Sequence, residues 1–267
     1  MPFTLSHPAA VLPMLRDGRP RGPLVASALV AGSLAPDIPY FTDSLVHGTF
    51  GFGVFTHSPL GVPTADVAIA AALAAGWHWL LREPLVALLP DRWAAAADAA
   101  TAPTGRNRGV AGAGRFALSA AVGAATHVAW DAFTHGGRAG TRLLPVLNRT
   151  VLGRPLYYDL QFGSSVLGLG VIGWYAARTL RAAPVQAPPR PRLSTRTRIA
   201  ATALVGAAAA AGAAARLARW DQGPLRSAGI LDLVPAVAFG GGAGAAVGLA
   251  CYAAVARTAL GRRGSAA

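Results

Sequence analysis

Three residues in the middle of the chain recur at four-residue intervals: His127, Asp131 and His135. On an α-helix, positions four apart lie one turn above each other, so a helix here presents two imidazoles and a carboxylate as one stripe. Histidine and carboxylate are ligand types for zinc and similar divalent ions, and an i,i+4 pair offers two of them together. At about 1.5 Å per residue, His127 and His135 lie about 12 Å apart and do not easily share one ion. One adjacent pair would bind the metal, leaving the third residue to orient a ligand or to serve a second ion. An alternative stays open: a hydrogen-bonded His–Asp pair, with Trp130 as an interface anchor, holds helices together without any ion.

These residues are set among apolar helices. Of 267 residues, 53% are hydrophobic and 13% charged, against about 25% charged in ordinary globular domains. Apolar stretches run from Leu60 to Leu81, Phe116 to Phe133, Leu160 to Leu180, Ile199 to Leu217 and Leu231 to Val255. They are near the roughly 20 residues that a helical membrane crossing needs. A weaker stretch, Pro23 to Phe41, is broken by Pro36, Asp37 and Pro39. All are rich in Ala, Leu and Gly and lack the period-two alternation of a membrane barrel. The prediction is an all-α fold, a polytopic helical membrane bundle with about five to seven membrane helices including an N-terminal hairpin.

That hairpin would start near Ser6, break at Asp17-Gly18 and reopen at Gly22-Pro23, with Pro8 tolerated in a first turn. A short interfacial helix is expected around Trp93. Residues 184–191 (PVQAPPRP) read as an extended linker. The domains are therefore a motif-bearing membrane domain over 1–181, a proline-rich cytoplasmic linker over 182–198 and an Ala/Gly-rich helical pair over 199–267. The pair has no His, and its only acids, Asp221 and Asp232, flank the connecting loop. It reads as a packing element in which small residues let helices approach. The single Cys251 excludes an intrachain disulfide and a cysteine-based zinc site.

Ionisable residues in or beside membrane spans are costly and are functional candidates by default. Following the chain across the membrane, His7 opens the first hairpin arm and Asp37 closes the second. His57 begins the next span on that same side, and the following span returns with His127, Asp131 and His135, so all six share one membrane face. Asp66 lies one to two turns inside its span, as a hydrogen-bond acceptor between helices or a partner to the ligands. All 24 basic residues are Arg. The face opposite the candidates carries most of them, including Arg106, Arg108, Arg190 and Arg192. Only Arg138, Arg142, Arg149, Arg154, Arg216, Arg219 and Arg226 share the candidates' face. The positive-inside rule then puts the candidates on the outer face, with the linker and C-terminus cytoplasmic. Membrane topology also accounts for the net charge of +13, and no nucleic-acid partner is expected.

The opening Met1-Pro-Phe-Thr-Leu-Ser-His7, Gly32-Ser-Leu-Ala-Pro-Asp37, Thr56-His57-Ser58, Thr126-His127-Val-Ala-Trp130-Asp131-Ala-Phe-Thr-His135 and Leu160-Gln161-Phe-Gly-Ser-Ser165 together resemble one group. It is the uncharacterised bacterial membrane family called domain of unknown function 4184. The likeness runs in order over roughly residues 1 to 180, leaving the final helical pair outside. More distantly the motifs are similar to proteins described as membrane-bound metal-dependent hydrolases. These share a leading His, a Pro-Asp, a Thr-His-Ser and a His-x-x-x-Asp helix. The resemblance implies that His7, Asp37, His57, His127 and Asp131 are metal ligands, in an arrangement likened to zinc-dependent phospholipase C. Those relatives often continue Pro-Asp-x-Asp-His; here Ile38-Pro39-Tyr40 follow Asp37, which removes two potential ligands and leaves His135 to compensate.

The expectation is a divalent-metal site, with zinc as the ion, at the outer face of a bacterial cytoplasmic membrane. It would hydrolyse a membrane lipid or a lipid-linked phosphoester, with Asp37 or Asp131, whichever is not ligated, as general base. The rival is a non-catalytic helical membrane protein whose His/Asp cluster is structural or only binds metal. A proton or ion transporter would want its ionisable groups near the midplane instead.

Overall fold

The computed structural model describes residues 3–102, 109–183, 193–220 and 233–264. The proline-rich stretch at 184–192, Asp221 and Asp232 with the loop between them, and Arg106, Arg108 and Arg226 lie outside the described residues. The chain opens with 3-10 turns over Thr4–Met14 and a small hairpin of β1 (Leu15–Arg16) and β2 (Arg19–Pro20). Then follow α1 (Ala26–Leu34), a 3-10 turn at Ala35–Asp37, α2 (Ile38–Thr42), α3 (Gly53–Thr56) and α4 (Ala65–Gly76). A π turn at Trp77–Leu81 leads into α5 (Arg82–Leu88), α6 (Asp91–Thr101) and α7 (Gly109–Thr134). The described chain ends with α8 (Ala139–Leu143), a second hairpin of β3 (Thr150–Val151) and β4 (Arg154–Pro155), α9 (Leu156–Ala182), α10 (Thr195–Trp220) and α11 (Leu233–Gly264). The class is all-α, and the helix expected around Trp93 is α6.

Three described helices are long and apolar enough to cross a membrane: Leu156–Ala182, Thr195–Arg219 and Leu233–Thr258. They support a membrane protein, and among the described residues three such helices stand against the five to seven expected. Prolines explain part of the difference. Pro36 and Pro39 split the 23–41 stretch into α1, a 3-10 turn and α2, because proline has no N–H to donate and its ring clashes one turn back. Pro59 and Pro63 delay α4 until Ala65. The first hairpin arm also departs from expectation. With Pro8 and Pro13 inside it, Thr4–Met14 forms 3-10 turns in place of an α-helix, and Ser6 donates to the Phe3 carbonyl without capping. Asp17 and Gly18, at φ 50° and 78°, form the tip of the β1–β2 turn.

The chain divides into two compact units. One comprises Met1–Ile38, Gly51–Ala74 and Pro103–Ala183; the other comprises Pro39–Phe50, Ala75–Ala102 and Pro184–Ala267. The core of the first is small-residue packing: Val25, Ala28, Ala31, Ala35, Ala70, Ala74 and Ala120 bury together. Gly32 of α1 and Gly123 of α7 face the partner helix so closely that a Cβ on either would overlap its backbone. This contact places α1 carbonyls within reach of α7 side chains. In the second unit α10 and α11 pack backbone to backbone at Gly212 and Gly240. They also hold the 39–50 segment: Arg216 donates to Ser44 Oγ at 2.8 Å and pairs with Asp43 at 3.3 Å.

Candidate metal centre

Four side chains converge in the first unit. Asp37 ends the 3-10 turn after α1, His57 follows α3, and His127 and Asp131 lie one turn apart on α7. One ligand atom from each lies within 4.8 Å of every other, and all four residues are buried. His127 Nε2 is 3.4 Å from Asp37 Oδ1 and 3.6 Å from Asp131 Oδ2. His57 Nε2 is 3.5 Å and 3.3 Å from the same two atoms.

Both rings are fixed from behind. His127 Nδ1 lies 2.7 Å from the Ser33 carbonyl and His57 Nδ1 lies 2.8 Å from the Gly53 carbonyl. A carbonyl only accepts, so each Nδ1 carries the proton and each Nε2 turns a lone pair towards the acids. The Ser33 carbonyl reaches His127 because of the Gly32–Gly123 contact; the Gly53 carbonyl sits one short helical turn before His57. Asp37 is held too: Thr4 Oγ1 donates to its Oδ2 at 2.5 Å, leaving Oδ1 to face the imidazoles.

These features fit a divalent cation. The 3.3–3.6 Å separations exceed the roughly 2.7–2.9 Å of charge-assisted hydrogen bonds. They match the edge of about 3.4 Å expected of a tetrahedron with bonds of about 2.0–2.2 Å. Asp37 Oδ1 and His127 Nε2 are buried with no hydrogen-bond partner among the described residues, a costly state that an ion relieves. Two carboxylates and two neutral imidazoles also balance a 2+ charge, whereas two buried carboxylates alone repel. The four residues can hold a metal ion.

The structure sets the remaining candidates beside this group. His7, fully buried, stacks on His127 with ring centroids 3.6 Å apart, and its Nε2 is 3.6 Å from Asp131 Oδ1. Among the described residues, neither His7 nitrogen has a hydrogen-bond partner. His135 Nδ1 is 3.0 Å from the Asp131 carbonyl and 3.7 Å from Asp131 Oδ1, and its Nε2 is unpartnered. Burial pushes the His135 imidazole down to about 4 against the pull of Asp131, so at neutral pH it is uncharged. Asp66 is fully buried with no hydrogen-bond partner on either oxygen.

Thr4, the Ser33 and Gly53 carbonyls and the Gly32–Gly123 contact escaped the sequence reading. Carbonyls leave no trace in side-chain chemistry. Thr4 had one available signal, a hydroxyl three residues before His7 in the opening motif.

No curated protein and no solved structure matches the chain. A family model does, that of domain of unknown function 4184 (DUF4184), over residues 1–254. The match takes in most of the final helical pair, which the sequence resemblance had placed outside the family. Its extent and the site's motifs agree, and the chain belongs to the DUF4184 family.

Proposed function

We propose that this chain is a membrane-embedded metal-dependent hydrolase acting on a lipid or lipid-linked phosphoester. The observation that carries the reading is the convergence of Asp37, His57, His127 and Asp131, with both imidazoles oriented by backbone carbonyls. Two imidazole nitrogens and a carboxylate oxygen, with a second carboxylate beside them, suit zinc first among several divalent ions. Such an ion polarises a phosphoryl or acyl oxygen and lowers the pKa of water.

The protein's own part is positioning and proton handling. Asp37, His57 and His127 would hold the ion, and Thr4 keeps Asp37 presenting one oxygen. Asp131 would serve as the general base: its Oδ2 faces the ligands, while Oδ1 is buried and without a hydrogen-bond partner among the described residues, available to hold a proton. The His135 side chain retains 21% exposure where the ligands are sealed, so substrate approaches along His135. The preponderance of Arg opposite the candidates supports an outer-face site and a cytoplasmic C-terminus.

A second reading rests on the ligand count. Four protein ligands complete a tetrahedral shell, as in structural zinc sites, whereas catalytic sites keep a position open. Elemental analysis of detergent-purified protein, beside His57→Ala/His127→Ala, tests the centre. Near-stoichiometric metal in the parent and none in a folded variant is expected; no metal in either, even after incubation with it, refutes the centre. Chelator-sensitive hydrolysis of a labelled phospholipid supports the enzyme, and a metal-loaded protein without turnover on a phospholipid and lipid-linked phosphoester panel supports the structural reading.

A further inference from the structure

The segment between α7 and α9 is built against the chemistry of water. Leu143, Leu144, Val146, Val151 and Leu152 are all exposed, Leu143 at 74% and Leu152 at 93%. Leu152 and Gly153 form the two-residue tip between β3 and β4, with φ of 51° and 83°. Positive φ at both positions favours Asn, Asp or Gly, and a leucine there is strained. An exposed leucine at a strained tip gains nothing in water on either count.

Position supplies the reason. The hairpin ends at Pro155, and the candidate span α9 begins at Leu156, so chain continuity puts the hairpin at a membrane surface. The segment is fastened to the end of α7 that bears the metal ligands. Thr141 Oγ1 donates to the His135 carbonyl, Asn148 Nδ2 to the Thr141 carbonyl, and Leu156 N to the Arg149 carbonyl, at 2.7–3.0 Å. Charge names the surface: there is no acid between Asp131 and Asp159, while Arg142, Arg149 and Arg154 punctuate the leucines. Arg154 pairs with Asp159 at 2.6 Å; Arg142 and Arg149 are exposed and, among the described residues, have no acidic partner. Apolar tips flanked by exposed arginines are the signature of an interfacial anchor on anionic lipid.

We propose that residues 142–154 are an interfacial anchor that buries Leu152 and Leu143 in the leaflet facing the metal centre and sets Arg142 and Arg149 on anionic phospholipid headgroups. The anchor depends on membrane residence and not on the metal, so the two proposals stand or fall separately.

The test places an environment-sensitive fluorophore at Leu152→Cys in a Cys251→Ser background, with the full chain in phosphatidylglycerol/phosphatidylcholine nanodiscs. Blue-shifted emission, quenched by doxyl groups on acyl chains and not by aqueous iodide, is the expected result. Adding Arg142→Gln/Arg149→Gln should shift the inserted–withdrawn equilibrium about 30-fold towards withdrawal. Iodide-accessible, water-like emission in these discs overturns the anchor. Equal insertion in pure phosphatidylcholine, or indifference to the arginine substitutions, overturns the anionic-headgroup assignment. Metal content, measured on the same samples, reports the metal proposal independently.

Discussion

Replacing Thr4 with valine keeps the side-chain shape and removes one hydroxyl, the group that donates to Asp37 Oδ2 at 2.5 Å. Donor and acceptor are both buried, Thr4 at 7% exposure and Asp37 at 0%, so water does not easily take the hydroxyl's place. A hydrogen bond to a charged group contributes roughly 1.5–3 kcal/mol. At about 1.4 kcal/mol per tenfold, its loss weakens metal binding by roughly 10- to 100-fold if all of it falls on the bound state. That is the range found when partners behind metal ligands are removed. Competition against a chromogenic chelator gives the dissociation constants, and circular dichroism with size-exclusion chromatography checks the fold. Thr4→Ser should restore binding, because it returns the hydroxyl without the methyl group. A folded Thr4→Val protein binding metal within about 3-fold of the parent would refute this account of Asp37's orientation.

The remaining expectations probe the surroundings of the site. Gly123→Ala puts a Cβ onto the Leu29 carbonyl and Ser33 amide; it should cost about 1–3 kcal/mol by thermal unfolding and weaken metal retention by loosening the Ser33–His127 bond. Asp66→Asn should leave stability unchanged or raise it, because the carboxylate it removes is buried without a partner; a loss of about 1–3 kcal/mol would mark Asp66 as a needed acceptor. Asp131→Asn, read by phospholipid turnover at equal metal loading, should abolish hydrolysis; unchanged turnover would exclude Asp131 as the base. Acidification should release metal, since imidazole and carboxylate ligands bind deprotonated, and a centre that retains its ion undiminished to about pH 4 would contradict the ligand set.

Part of this arrangement was legible in the sequence, for physical reasons. The spacing of His127 and Asp131 survives any detail of packing because 3.6-residue periodicity fixes it. Following the chain across the membrane set Asp37 and His57 near them, and the four do converge, but the 23–41 stretch used in that argument is split by Pro36 and Pro39. The approach of α1 to α7 was not legible: it depends on two glycines 91 positions apart meeting backbone to backbone. Neither was the 3-10 geometry of the first arm, where two prolines outweigh an otherwise helix-compatible run. Spacing also could not divide the histidines. His7 is stacked on His127 and His135 folds back on its own turn, outside the four-residue group.

The sealing of the ligands bears on how the site would acquire its ion. Asp37 and His127 have no exposed surface and Asp131 has 2%, and α1 lies against α7 with no space for a methyl group between them. Exchange with the surroundings then requires the helices to part, an opening with a free-energy barrier of its own. Loading and release then run at the rate of that opening, so incubation with metal and competition against a chelator reach equilibrium over the time that openings take and not on mixing. Metal-loading and chelator curves followed over time would report that opening rate directly.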